Sequence, residues 1–150
     1  MKALPAILCV TLLCAGAAGA EPSDPFGQSV ASVQALVAAG GGVVYAGSFG
    51  HGIFRTGDRG GSWVQTGPGV TDPFILSLAI DKNGAVYAGT FRGGVFRSRD
   101  EGKTWQPINA GLKRLEIKAL LVTGDEIYAG TGDGVYRLTQ PGDQIGRAHV

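Results

Sequence analysis

Cysteine is nearly missing from this chain. Cys9 and Cys14 are the only two, and both fall in an N-terminal stretch built like a secretory leader. Lys2 forms a basic start, Ile7 to Leu13 an apolar run, and Ala18-Gly19-Ala20 a small-residue cleavage site. Removing residues 1–20 leaves no thiol, which excludes a disulfide framework and a thiolate metal site. The apolar run is too short to span a bilayer. Lipid attachment at Cys14 wants a small preceding residue, and Leu13 is not small, so anchoring there is not expected. Histidine is equally scarce: His51 and His149 are too few imidazoles for a zinc site. A surplus of either charge is missing too. Of 13 Lys+Arg, 11 lie within residues 21–143, together with all 12 Asp+Glu, which leaves no electrostatic footprint for nucleic acid or an anionic membrane. The expectation is an exported chain, secreted or periplasmic, with no metal and no cofactor.

The far end reads as foreign. Ile145-Gly-Arg-Ala-His-Val150 matches one frame of a common sequencing adapter followed by its stop codon, with Gln144 completed by the preceding bases. Residues 144–150 are therefore expected to be a non-native tail, and the protein a fragment whose His149 carries no function.

What the chain does have is glycine, 26 residues spread among Val, Ile, Tyr, Phe and Trp. That mixture suggests many short strands joined by tight turns. Self-comparison gives a period of 42 residues. Val44-Tyr-Ala-Gly47 recurs as Val86-Tyr-Ala-Gly89 and Ile127-Tyr-Ala-Gly130, and Gly52-Ile-Phe-Arg55 recurs as Gly94-Val-Phe-Arg97 and Gly134-Val-Tyr-Arg137. Ser32-Val-Gln-Ala-Leu-Val37 has matching copies at 74–79 and 116–121, and Trp63 and Trp105 share the same spacing. Each unit reads as four short strands, A to D, with hairpin-length connections that exclude helical crossovers. Four antiparallel strands repeated at this length are the signature of β-propeller blades. The predicted fold is all-β, with blades at 32–66 and 74–108 and about three strands of a third at 116–139, some two and two-thirds blades within a partial propeller spanning 32–143. Residues 21–31 read as a linker.

The C–D connections carry one pattern twice. Thr56-Gly-Asp-Arg-Gly-Gly-Ser-Trp63 and Ser98-Arg-Asp-Glu-Gly-Lys-Thr-Trp105 both fit S/T-x-D-x-G-x-S/T-W. Asp58 and Asp100 can accept turn N–H groups. Gly60 and Gly102 can supply a positive φ. Ser62 and Thr104 can add a hydroxyl bond, and Trp63 and Trp105 can cover the turn. Thr56 and Ser98 open the pattern, while Arg59, Glu101 and Lys103 occupy free positions. Neighbouring carboxylates on a turn do not suit a glycosidase pair, which must face each other across a substrate. One Asp and one Glu are also too few oxygens for calcium. In the third unit Gln140 stands where the Asp belongs.

On these residues the chain resembles the BNR/Asp-box propellers, over about 32 to 139. That group includes sialidases, xyloglucan-active glycosidases, sortilin-type receptor ectodomains and photosystem II stability/assembly-factor-like proteins. The resemblance implies that the Asp-boxes are structural and lie on the face opposite the ligand site. It also points to remaining blades in a full-length chain as partners.

Function is then sought in the B–C and D–A loops. Phe49 and Phe91 repeat at the period, with His51 and Arg92 beside them, and Asp133 occupies the third B–C loop. An aromatic beside a hydrogen-bonding group suits a sugar or peptide, while the repeated Phe also suits a plug between blades. Gly130-Thr-Gly-Asp-Gly134 fails as a phosphate loop because no helix follows it. The sialidase-type Arg-Ile-Pro motif is absent. The reading is a non-catalytic exported module that binds a protein or carbohydrate partner. One alternative is a glycoside hydrolase with its acid and base in other blades, and another is a periplasmic sensor domain.

Overall fold

A strand of alternating Val, Tyr and Phe cannot leave both faces in water, and the chain meets that demand by stacking three sheets. The computed structural model describes residues 32–139 and 144–147. Strands β1 (Ser32–Gly40), β2 (Val43–Phe49), β3 (Gly52–Thr56) and β4 (Val64–Gln65) form the first sheet in that order, all antiparallel. Strands β5 (Ile75–Ile80), β6 (Val86–Thr90), β7 (Val95–Ser98) and β8 (Gln106–Pro107) form the second in the same order. The third comprises β9 (Ile117–Thr123), β10 (Glu126–Thr131), β11 (Gly134–Thr139) and β12 (Gln144–Arg147). No helix occurs among the described residues. The expected leader and linker, Gln140 and the last three residues lie outside them.

The third sheet has one strand beyond the three expected at 116–139. Its fourth strand, β12, comes from residues set apart as a tail, and it pairs with β11 from Tyr136↔Arg147 to Thr139↔Gln144. The physical reason is generic. An outer strand presents a row of unpaired N–H and C=O groups that any extended segment can satisfy, whatever its side chains.

The register repeats as the sequence does. Each A–B pair slips at the corresponding place, so that Gln34, Leu76 and Lys118 are bulged, between Val33 and Ala35, Ile75 and Ser77, and Ile117 and Ala119, and the first pair slips again between Ala38 and Gly40. A bulge in the inner strand bends it and raises its local twist.

Side-chain burial shows how the sheets stack. Every residue of β6 and β7 is buried, whereas β1 and β9 are largely exposed or half-buried. The middle sheet is thus covered on both faces. Tyr45, Ile53, Ile75, Val86, Ala88, Phe96 and Trp105 form the core between the first and second sheets. Tyr87, Val95, Ile108, Ile117, Ile127, Ala129 and Tyr136 are central to the core between the second and third. Tyr87 is fully buried and donates to Asp81 Oδ2 at 3.1 Å. Burial foremost, and then the Asp81 carboxylate, push its phenol up to about 12.

The glycine that closes each Val-Tyr-Ala-Gly run is required by this stacking. A Cβ on Gly47 would lie 2.5 Å from Ile75 Cγ2, and one on Gly89 would lie 2.6 Å from Ile117 Cγ2 and collide with Ser77 Oγ. The inner strand of the next sheet therefore sits directly on the glycine backbone. Gly130 faces only Ala119 of its own sheet, at an ordinary 3.5 Å. Gly89→Ala is accordingly expected to destabilise the fold by about 1–3 kcal/mol through overpacking. Gly130→Ala should stay within about 0.5 kcal/mol of the parent. Denaturation midpoints of the two variants check this, and equal effects would contradict it.

Candidate functional site

Strand β3 separates two ends of the first sheet. Gly52, its first residue, follows the B–C loop, and Thr56, its last, opens the C–D turn. At about 3.3 Å per residue the two ends are some 13 Å apart. The charged turn and the aromatic loops are therefore different sites.

The turn end is built almost identically in the first two sheets. Thr56 Oγ1 donates to Asp58 Oδ1 at 2.6 Å while accepting the Gly60 N–H at 2.9 Å. Asp58 then accepts the Ser62 N–H on Oδ1 at 2.8 Å and the Ser62 hydroxyl on Oδ2 at 2.7 Å. One period later Ser98 Oγ donates to Asp100 Oδ1 at 2.8 Å and accepts the Gly102 N–H at 2.8 Å. Asp100 accepts the Thr104 N–H at 2.9 Å and the Thr104 hydroxyl at 2.6 Å. Hydrogen bonds from these hydroxyls and amides hold both carboxyls down at about 2, against an ordinary 3.8. Their oxygens are occupied by groups of the turn itself.

The positions treated as free in the sequence are not all free. Arg59 and Glu101 both have φ 60°, beside Gly60 at 93° and Gly102 at 83°. With Gly61 N–H bonding to Asp58 C=O at 3.3 Å and Lys103 N–H to Asp100 C=O at 3.2 Å, each is a type I′ turn, which needs two left-handed residues. The carboxylate clasp holds a non-glycine residue in the unfavoured region. Arg55 reaches across to Glu101 at 3.0 Å. A cavity of about 360 Å³ lies beside that pair, lined also by Val64, Gln65, Thr66, Gly67, Gly102 and Lys103.

At the loop end the structure brings together Phe49, Phe91 and Arg92, and adds Phe74 and Asp72. Phe49 packs on Phe74 with ring centroids 4.8 Å apart and on Phe91 at 6.2 Å. The Arg92 guanidinium sits over Phe74 at 5.7 Å and over Phe91 at 5.5 Å. Phe49 and Phe91 stay 40% and 37% exposed, so they fill the cleft between two sheets and still present surface. Asp72 is buried and acts as the loop's anchor. Its Oδ2 accepts the N–H groups of Arg92 at 2.5 Å and Gly93 at 2.9 Å, and its Oδ1 that of Phe74 at 3.2 Å. Pro73 C=O accepts the Gly50 and Gly52 N–H groups, each at 3.0 Å. The D–A linker thus knits one B–C loop to the next. The signal for Asp72 was its place before a proline at a loop, but two of its three partners lie 20 and 21 residues away.

His51 and Asp133 stand differently. His51 belongs to the same loop as Phe49; its N–H donates to Ser48 Oγ at 3.1 Å, and its buried Nδ1 has no hydrogen bond among the described residues. The Asp133 carboxylate is tied into its own sheet by the Thr131 hydroxyl at 2.7 Å and the Tyr136 hydroxyl at 2.9 Å. Among the described residues no group of three or more His, Cys, Asp or Glu side chains could hold a metal ion. Nor do the described residues include a helix long and apolar enough to cross a membrane.

No protein-family model matches the chain, and no curated protein matches it. Solved structures do. The extracellular domain of the one-component system BT4673 from B. thetaiotaomicron superposes with a TM-score of 0.67 at 18% identity, over 77% of this chain and 16% of that one. The GH74 enzyme of Niastella koreensis gives 0.62 at 20% identity, over 79% and 22%. YCF48 bound to D1 peptide gives 0.56 at 21%, over 76% and 38%. The sheets are β-propeller blades. The chain spans about a sixth of the BT4673 domain's length, and at these identities the likeness concerns the fold alone.

The blade turns give a pH dependence. Because the fold lowers both carboxyl pKa values, their contribution to stability is complete above about pH 4, the range of a free aspartate. It is lost as pH falls toward about 2. Thermal midpoints recorded from pH 5 to pH 2 should fall, and the Asp58→Asn, Asp100→Asn double variant should fall less steeply. An unchanged slope in that variant would contradict the assignment.

Proposed function

We propose that this chain is part of an exported β-propeller that binds a partner at its loop end, through Phe49, Phe74, Phe91 and Arg92. The observation that carries this reading is the exposed aromatic and guanidinium group anchored by Asp72. A loop pinned by two of its N–H groups to one buried carboxylate loses little entropy when a ligand arrives. Arginine and aromatic side chains are also the types that dominate protein interfaces.

Geometry favours a peptide over a sugar. The three rings are tilted, at 58° and 63°, so they offer no flat shared platform for a pyranose. Arg92 already covers Phe74 and Phe91 and turns a cation outward, which suits a carboxylate-bearing peptide. The similar propeller YCF48 is bound to a D1 peptide, which supports the same class of partner. In this reading the Asp-box-like turns are structural, and export rests on the leader at residues 1–20. A second reading, a piece of a glycoside hydrolase, draws on the likeness to GH74 enzymes. A sensor role draws on the BT4673 extracellular domain.

Titration calorimetry of the chain with acidic peptides, neutral peptides and xyloglucan oligosaccharides separates these readings. Acidic peptides should bind, and Arg92→Ala should weaken them by about tenfold. Asp72→Ala, which leaves Arg92 in place and frees its loop, should weaken binding as well. Binding of the oligosaccharide alone, or its hydrolysis, would overturn the proposal.

A further inference from the structure

Two turns with the same internal geometry sit in unequal surroundings. The second blade's turn is docked on the first blade's D–A linker. Gly67 N–H donates to Gly102 C=O at 2.7 Å, and Trp105 N–H donates to Pro68 C=O at 3.0 Å. Trp105 Nε1 donates to Thr66 Oγ1 at 3.2 Å, and the indole is 4% exposed. Backbone lies so close that a Cβ on Gly67 would run into the Lys103 carbonyl, and one on Gly69 into the Trp105 carbonyl. Thr66-Gly-Pro-Gly69 is thus a receptor segment: a hydroxyl for the indole, one N–H, one C=O, and no side chain where the backbones meet.

Turn and receptor are lost together at the next junction. The corresponding linker reads Ile108-Asn-Ala-Gly111, with Asn109 at the Gly67 position and no hydroxyl at the Thr66 position. The third copy of the turn pattern has Gln140 in place of its Asp. The first blade's turn, by contrast, keeps the whole pattern. Its Trp63 is only half-buried, and among the described residues no other blade bonds to Gly60 C=O, Trp63 N–H or Trp63 Nε1.

We infer that the Thr56–Trp63 turn is the open half of an interblade clasp, and that it docks an extended Thr-Gly-x-Gly segment at the outer-strand exit of a further propeller blade. The occupant follows from continuing the observed interface by one repeat. A second copy of this chain is a poor source, because its own Thr66–Gly69 segment is engaged by its second blade. This surface lies at the opposite end of the blade from the aromatic loops, so it is independent of the ligand reading.

The test titrates the synthetic peptide Val-Gln-Thr-Gly-Pro-Gly-Val, the sequence of residues 64–70, into the chain while tryptophan emission and acrylamide quenching are followed. The chain has two tryptophans, and Trp105 is already covered, so Trp63 carries the change. A saturable blue shift and protection from acrylamide are expected. Both should vanish with a peptide bearing Ala in place of both glycines, and in Trp63→Phe, whose Trp105 emission reports that the fold is kept. No saturable change at millimolar peptide would overturn the inference, as would an equal response to the alanine peptide. Burial of Trp63 that depends on chain concentration without peptide would assign the surface to a second copy and overturn it too.

Discussion

Close approach of backbone to the next sheet is the constraint on which the rest of this structure depends. Ile75 and Ile117 approach to 2.5 and 2.6 Å of where the Cβ atoms of Gly47 and Gly89 would stand, and that contact limits the distance between consecutive sheets. Once it is fixed, the apolar faces of β6 and β7 are buried on both sides, and the two interblade cores follow. A single blade has no comparable core of its own. Its stability comes from its neighbours, as in other stacked-repeat architectures.

That dependence explains why the two ends of a blade do different work. The turn end is a closed electrostatic unit in which Asp58 and Asp100 are saturated by hydroxyls and amides of their own turns. Groups so occupied have little left to offer a substrate. Their chemistry holds a type I′ turn and, in the second blade, presents that turn to Thr66-Gly-Pro-Gly69. The loop end is open. There Asp72 is spent on anchoring backbone, which leaves the Phe rings and Arg92 facing solvent.

The fold was largely legible from the chain because its signals are local and repeated. Val-Tyr-Ala-Gly, Gly-Val-Phe-Arg and the turn pattern each recur, and three registers agreeing fix strands, order and hairpins together. What stayed hidden was long-range or conformational. Asp72 reads as a turn residue, and only the fold shows that it holds a loop 20 residues on. Phe74 looked like the start of an inner strand rather than a partner of Phe49 and Phe91. Arg59 and Glu101 looked free because no composition rule marks a non-glycine residue for positive φ. Gly67 and Gly69 looked like linker flexibility, yet they are points of contact. The strand at Gln144–Arg147 could not be read from side chains, since edge pairing is a property of the backbone.

The central claim is that backbone hydrogen bonds, rather than apolar contact alone, join one blade's turn to the preceding linker. Amide hydrogen exchange at Gly67 and Trp105 tests it most directly, because both N–H groups sit outside regular strands and bond across the blade boundary. The account predicts protection comparable to that of the β6 amides. Exchange at the rate of an exposed loop at both residues would contradict it.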